Sequence, residues 1–455
     1  MPIPYRLNPM GKSNRPVYYE LTVKPSNGYN DGVTGMGVRI QPRWATGGYC
    51  SIDWGDGSKE DAVTSGTKID HVYTTMDLFI IKIKGDLTRI IFSGRDGKDA
   101  LNWIDCVENW DVLGDITEGD QMFDSLYKLN HTFKTLPPNI TSGYCMFRGC
   151  AQADFTFTSL PEGLKRGSVM FQGCSKATLP LTSLPAGLSA SEGSMFNGCT
   201  NAQLPLTSLP AGITNGRYMF SGCTNATLPL TSLPDGLTDG QSMFYNCKNA
   251  ELSLDSLPSR LTIGNSMFWS CSKANFTFTK LPDGLTNVSS MFQGCTNAQL
   301  PLTSLPEGLT NGSSMFQGCT NATLPLISLP EGLTSGYSMF CLCGNAELSL
   351  TNLPEGLTNG YYMFLKCYKA HLRISKLPDR LTNGHNMFSY CYQAEIDLDE
   401  LAANAPADGW TALTNITYMF SASPKVTGSR SAFLAKCPAN VTGADTAFLG
   451  TNTTE

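Results

Sequence analysis

Apolar residues recur along most of this chain at one fixed spacing. The pair Met-Phe stands at 122, 146, 170, 195, 219, 243, 267, 291, 315, 339, 363, 387 and 419, so every step but two is 24 residues. Such a period marks a repeat architecture. Apolar positions within a unit read M-F-x-x-C-x-x-A-x-L-x-L-x-x-L-P-x-G-L, clearest in the near-identical units that begin at Met291 and Met315. Only one side of a unit is apolar, so a single copy cannot bury its own core. Stacked copies give a continuous interior, which predicts a solenoid of 24-residue coils. Ser ahead of Met-Phe-x-x-Cys predicts a short helical turn. The alternation A-x-L-x-L predicts a short strand with its two Leu inward, and the segment L-P-x-G-L-T-N-G turns the chain back. Pro180, Pro205, Pro229, Pro301 and Pro325 occupy the middle of that strand. Proline lacks a ladder donor, so pairing there is expected to be short or irregular.

The flanks are patterned differently. Residues 1–35, with Tyr5, Tyr18 and Tyr19, read as an arm carrying one strand, either a tether or an edge strand of the adjoining β segment. In 36–91, alternation through Leu78, Phe79, Ile80, Ile81, Lys82 and Ile83 predicts a strand, and Trp54-Gly55-Asp56-Gly57 a tight turn. Trp103, Cys106 and Trp110 in 92–121 suit a connector that caps the open end of the solenoid at 122–399. In 400–455 the period breaks, with an eight-residue lengthening before Met419. Ala432-Phe433 and Ala447-Phe448 read there as eroded copies of Met-Phe, as an end cap requires.

Composition narrows the function. Charged residues make up 15% of the 455, and the formal charge is −6 with no Lys/Arg cluster, which argues against a nucleic-acid partner. No run of 18 apolar residues exists, so membrane insertion is not expected, and the start lacks the apolar core of a secretory signal. Eleven of the 16 cysteines fall in one column of the repeat. Neighbours in a column point the same way, whereas a disulfide needs facing Cβ atoms, so these are expected to be buried free thiols. No His accompanies them at ligand spacing, so no metal is expected. Asp53 and Asp56 are expected to cap backbone N–H groups of their turn rather than to bind calcium. With four His and no nucleophile elbow, phosphate loop or HExxH, the sequence points away from an enzyme and names no cofactor.

Two resemblances add to this reading. The Met-Phe-x-Gly-Cys repeat over 122–391, followed by a Leu-rich strand, resembles BspA-like leucine-rich repeats and the related mycoplasma lipoprotein repeat. The turn Trp54 to Ser58, followed by His71 and Tyr73, resembles the polycystic kidney disease (PKD) type β-sandwich, although Thr75-Met76-Asp77 replaces its usual Pro-Gly. Together they resemble proteins of gut bacteria and their phages, and imply adhesion or recognition rather than a reaction.

The exposed strand face is small and polar over its first eight coils. The last coils gather Tyr361, Tyr362, His371, Arg373, Tyr390, Tyr392, Asp397 and Asp399, with Tyr368, His385 and Trp410 nearby. Aromatic faces beside Arg and carboxylates suit contact with a glycan or protein, so these residues form the candidate ligand patch. The absent leader, the unpaired thiols and the tether-like start favour a bacteriophage virion component, a fibre or appendage assembled in the bacterial cytoplasm and displayed on the particle. Its expected partners are other virion proteins and host surface glycan or protein, with homo-oligomerisation left open. The alternatives are a BspA-like adhesin on the bacterial surface and an architectural protein without ligand.

Overall fold

A computed structural model describes residues 18–25, 36–44, 48–75, 77–94, 101–106, 108–188 and 193–455. The chain forms two compact units, 1–189 with 195–203 and 190–194 with 204–455. Tyr5 and most of the expected 1–35 arm lie outside the described residues, as do the side chains of Trp103 and Cys106.

The first unit begins with two antiparallel sheets. Alternation in β1 (Tyr19–Pro25) buries Tyr19, Leu21 and Val23. This strand lies between β6 (Phe79–Gly85) and β8 (Leu101–Cys106) in a five-stranded sheet completed by β3 (Cys50–Asp53) and β4 (Lys59–Glu60), in the order β4-β3-β6-β1-β8. The second sheet has the order β5-β2-β7, formed by Ile69–Tyr73, Met36–Arg43 and Arg89–Gly94. The strand expected in a tether or at an edge is thus an interior one, paired on both sides, and the sheet reaches beyond 36–91 in both directions.

The tight turn is where expected, and its carboxylates are used locally. Asp53 accepts the Gly55 N–H at 3.1 Å, and Asp56 accepts the Ser58 N–H at 3.0 Å and hydroxyl at 2.6 Å. His71 Nε2 lies 2.7 Å from Asp56, its ring stacks on Trp54 at 4.6 Å, and the Tyr73 hydroxyl donates to the Trp54 carbonyl at 2.9 Å.

β7 also opens the stack of coils in this unit. The Phe92 N–H donates to the Met122 carbonyl at 2.8 Å, and its ring stacks on Phe123 at 5.3 Å. Phe147, Phe171 and Phe196 continue the column at 5.4 to 5.8 Å. Phe92 stands at the start of the expected connector 92–121, and the far end of that connector also bonds to the next coil, the Gly119 and Gln121 N–H groups donating to Ser142 and Tyr144 at 2.7 and 2.8 Å. Trp110 is buried against Tyr19, with ring centroids 5.3 Å apart, and its Nε1–H donates to the Thr135 hydroxyl at 3.3 Å.

Within each unit the Met-Phe segment forms the ladder. It is not helical: the residue before Met has positive φ in every copy, from Gln121 to Tyr418, and successive turns close by i to i+3 bonds such as Met315 N–H to Gly312 and Cys319 N–H to Phe316. The alternate N–H groups point along the stack. In the second unit Gly312, Ser314, Phe316 and Gly318 donate to Ser335, Tyr337, Met339 and Cys341 at 2.8 to 3.0 Å. In the first, Gly143, Cys145, Phe147 and Gly149 do the same to Arg166, Ser168, Met170 and Gln172. Every other peptide is thus aligned with the stack. A phenylalanine column from Phe220 to Phe448 runs beside this ladder in the second unit, its rings near 5.6 Å apart and almost parallel, as in Phe292–Phe316 at 5.7 Å and 3°.

The cysteine column has a more specific role than small apolar filler. Cys295, Cys319, Cys343, Cys367 and Cys391 are fully buried, and each Sγ donates to the Phe carbonyl of the preceding coil at 2.9 to 3.0 Å. Cys150, Cys174 and Cys199 repeat the contact in the first unit. The described cysteines are free thiols. In the coil that follows the lengthening Ser423 takes the place of Cys, and its buried hydroxyl donates to the Phe388 carbonyl at 2.6 Å.

Strand pairing follows the prolines as expected. Where the middle residue is not Pro, its N–H reaches the preceding coil: Thr156 to Phe133, Ser253 to Leu230, Thr277 to Leu254, Ser349 to Leu326 and Arg373 to Leu350. Two-residue parallel strands appear at such places, β9 (Thr132–Phe133) with β10 (Asp154–Phe155) and β11 (Ser349–Leu350) with β12 (His371–Leu372). The lengthening after residue 397 is a helix, α1 (Leu398–Ala403), following β13 (Ile396–Asp397), which pairs with β14 (Val426–Thr427). Of the two eroded copies, Ala447-Phe448 keeps the Met-Phe place, since Phe420 N–H donates to Ala447 and the rings of Phe420 and Phe448 stack at 5.8 Å. Ala432-Phe433 lies in α2 (Arg430–Leu434), with Phe433 edge-on to Phe420 and Phe448.

Candidate recognition surface

Much of the polar composition is consumed in holding coil to coil. The Thr334, Thr358 and Thr382 hydroxyls donate to the Thr carbonyls of the preceding coils at 2.8 to 3.0 Å. In Leu-Thr-Asn-Gly the Asn side chain accepts the N–H two residues on, as Asn311 does from Ser313 at 2.9 Å and Asn359 from Tyr361 at 3.1 Å, the short-range bond that makes Asn a turn former. The Thr hydroxyls thus join neighbouring coils, and the Asn side chains close their own turns.

The eight residues of the candidate patch fall into three groups. Tyr361 and Tyr362 are brought together at 4.1 Å, in a column where Tyr337, Tyr361 and His385 stack at 5.1 and 4.9 Å with their planes within 11°. Tyr337 is 43% exposed, and Tyr361, Tyr362 and His385 are half-buried. The hydrogen bond with Tyr362, aided by burial, raises the Tyr361 hydroxyl to about 12, so it stays a neutral phenol near neutral pH. Burial pushes His385 down, against the opposing effect of its hydrogen bond to Asn415. Neutral rings of this kind can present edges and hydroxyls to a ligand without a net charge.

Tyr390 and Tyr392 belong to a second group. Tyr392 stacks on Tyr368 at 5.2 Å, and the Lys366 ammonium lies 5.8 Å from the Tyr390 ring centroid. Both are about 40% exposed. Among the described residues no ring contact, hydrogen bond or ion pair joins this group to Tyr361.

The third group lies on the strand face and is largely engaged. Arg373 pairs with Glu395 at 2.9 Å, and Lys425 reaches the same carboxylate at 3.4 Å, so the two cations hold the Glu395 carboxyl below its ordinary value, Arg373 more strongly. Asp397 caps α1 by accepting the Asp399 N–H, and Asp399 accepts the Ser429 N–H at 3.2 Å. These two carboxylates are structural. His371 is exposed in β12. Trp410, next to this set in sequence, is fully buried against Phe433 at 5.0 Å and presents no surface.

The coils from 243 to 284 belong to the stretch of strand face that reads as small and polar in the sequence. Here Tyr245 and Trp269 stack at 4.4 Å, and two open depressions of about 510 and 530 Å³ lie on the strand face. The signal available was the break in the proline column at Ser253 and Thr277. No group of three or more His, Cys, Asp or Glu among the described residues is placed to hold a metal ion. No described helix is long and apolar enough to cross a membrane.

Comparison with known proteins bears on the repeats. The family described as "BspA type Leucine rich repeat region (6 copies)" matches residues 119–251, 208–323 and 262–395, together more than half of the chain. No curated protein matches. Among solved structures, "Crystal structure of TLR13-ssRNA13 complex" is 15% identical with a TM-score of 0.23, over 70% of this chain and 48% of that one. "Plant peptide hormone receptor RGFR1 in complex with RGF2" is 11% identical with a TM-score of 0.14, over 73% of this chain and 68% of that one. This chain thus spans about half the length of the first.

Proposed function

This chain belongs to the BspA-type leucine-rich repeat family, and from that premise we propose that it is a non-enzymatic recognition protein displayed on a surface. Its last coils contact a host or partner surface through Tyr337, Tyr361, Tyr362 and His385, with Tyr390 and Tyr392 as a second contact. The observation that carries the reading is the register of the aromatic column. Rings stacked 4.9 to 5.1 Å apart are already ordered, so they offer contact area at low entropic cost, as aromatic anchors do in binding sites. Arg373, His371, Asp397 and Asp399 serve this surface as framing residues, two of them through the cap of α1. PKD-type character of the N-terminal sandwich is part of the same proposal, supported by the Trp54, Asp56, His71 and Tyr73 contacts.

The setting we propose is the virion of a bacteriophage. A column of thiols donating to carbonyls suits synthesis in a reducing cytoplasm and needs no oxidative step. Display on a bacterial cell as an adhesin is the second reading, supported by the family itself. Mass spectrometry of purified phage particles and of washed cell envelopes separates the two by where the peptides appear. Recognition itself is tested by attachment of the purified chain to bacterial cells. Replacing Tyr337 and Tyr361 by Ala is expected to weaken attachment about tenfold or more, the effect of losing a central anchor. Unchanged attachment in that variant would remove the aromatic column from the proposal.

A further inference from the structure

The two depressions share a pair of coils, the first reaching on to Asn297 of the next, and both lie where the chain departs from the repeat. At the middle strand position Ser253 and Thr277 stand where the flanking coils carry Pro229 and Pro301. Two positions on, Asp255 replaces the Thr found at 231, 279 and 303, and Lys273 and Lys280 stand at places held by Asn297 and Ser304 in the next coil. Ser253 and Thr277 thus bring hydroxyls where the flanking coils carry proline rings, beside the new charged side chains. Glu251, Ser253, Lys273, Asn275 and Asn297 line one depression. Asp255, Thr277, Lys280 and Asp283 line the other, over the buried edge of Phe278 and Leu281.

Charge and hydrogen bonding define what fits. Glu251, Lys273, Lys280 and Asp283 are exposed and form no ion pair among the described residues. The charges of the last coils, by contrast, are bound to one another, as in Arg373–Glu395–Lys425 and Lys376–Glu355. Each depression mixes carboxylate, ammonium and hydroxyl or amide groups, so it offers acceptors and donors together with little net charge. A phosphate or sulfate would meet the carboxylates, and a cation the ammonium groups. A ligand rich in hydroxyls satisfies both, with its C–H face available to the Phe278 and Leu281 floor. Leu257, at the second depression, lies four residues beyond Ser253 at the first, a reach of at most about 14 Å, so one elongated ligand can span both.

We propose that this face is a binding site for a neutral oligosaccharide, with sugar units seated in both depressions and hydrogen-bonded by Glu251, Asp255, Lys273 and Lys280. The site rests on the reading of the chain as a recognition protein but not on the aromatic column. Its test uses the full chain and four neutral probes, cellotriose, maltotriose, xylotriose and chitotriose, with a sulfated trisaccharide as the contrast, followed by saturation-transfer NMR and calorimetry. Two variants restore what neighbouring coils already carry and so are compatible with the fold: Ser253→Pro with Thr277→Pro, and Lys273→Asn with Lys280→Ser. Binding of at least one neutral probe, weakened about tenfold or more in both variants and unchanged by Tyr337→Ala with Tyr361→Ala, is the expected result. No neutral probe binding, binding only of the sulfated one, or binding indifferent to either variant pair overturns the proposal. Unchanged cell attachment in the tyrosine variant, with oligosaccharide binding as expected, overturns the aromatic column alone, whereas lost attachment in that variant with no neutral probe bound by the native chain overturns this site alone.

Discussion

The side chain at the fifth position of Met-Phe-x-Gly-Cys is selected for two properties at once: it must be small enough for a fully buried slot and must donate to the Phe carbonyl of the preceding coil. Cysteine meets both, and Ser423 reaches the Phe388 carbonyl from the equivalent slot with an oxygen in place of sulfur. Burial pushes the Cys295 thiol up to about 12, so it remains protonated and able to donate. Cys295→Ser is therefore expected to be milder than Cys295→Ala, which leaves the Phe268 carbonyl without its sulfur donor and costs about 1 kcal/mol more. Thermal denaturation of the two variants checks the order, and a larger loss for Ser would return the thiol to a merely apolar role. Asp56 makes a second prediction at this scale. Burial alone would push its carboxyl up, but the Ser58 hydroxyl and N–H together with His71 outweigh that and hold it at about 2. The folded value lies below the unfolded one, so the contribution is present above about pH 4 and is lost as the pH falls towards about 2. The melting temperatures of wild type and Asp56→Asn should differ at about pH 6, draw together as the pH falls from about 4, and converge only below about pH 2.

At the scale of one coil, the glycine two residues past Thr in Leu-Thr-x-Gly is fixed by its neighbour. A Cβ on Gly336 would lie 2.6 Å from Met363 Sδ in the following coil, although the backbone there is ordinary. Gly336→Ala should cost about 1–3 kcal/mol as an overpacked contact. With Met363→Ala also present the combined loss should fall short of the sum, because the removed side chain relieves the clash, and a double-mutant cycle measures that coupling. The coil's outline was legible in sequence because its spacing is itself the fold: Leu348 and Leu350 inward, Glu347 and Ser349 outward, Pro325 outside the ladder. The Met-Phe turn reads as helical in sequence because its left-handed residue is Cys145, Val169, Ser314 or Tyr362 rather than glycine, so the usual cue for positive φ is missing. The candidate patch was only half legible for a related reason. Tyrosines recurring at one position of the repeat could be seen to share a column, but that Asp397 caps a helix and that Trp410 faces inward depends on α1, which interrupts the period.

At the scale of the whole molecule, the described coils within each unit bond to the ones beside them, so that coils are interchangeable where their sequences are. Removing residues 291–314 from the second unit joins Ser290 to Met315, and Ser314 already precedes Met315 in the native chain. The N–H of Phe268, which donates to the Met291 carbonyl at 2.9 Å, then finds the Met315 carbonyl in the same place. Cys319 would likewise donate to Phe268 as Cys295 does now. The shortened chain is expected to fold with the same circular dichroism per residue and with its column thiols still shielded, at a modest cost in stability from the loss of one coil interface. Removing only 291–302 leaves half a coil, which places Thr and Ser where Met and Phe must stack. That variant should lose cooperative melting and expose its thiols to a modifying reagent without denaturant. If both deletions behaved alike, stability would have to come from something other than repeated contacts between adjacent coils.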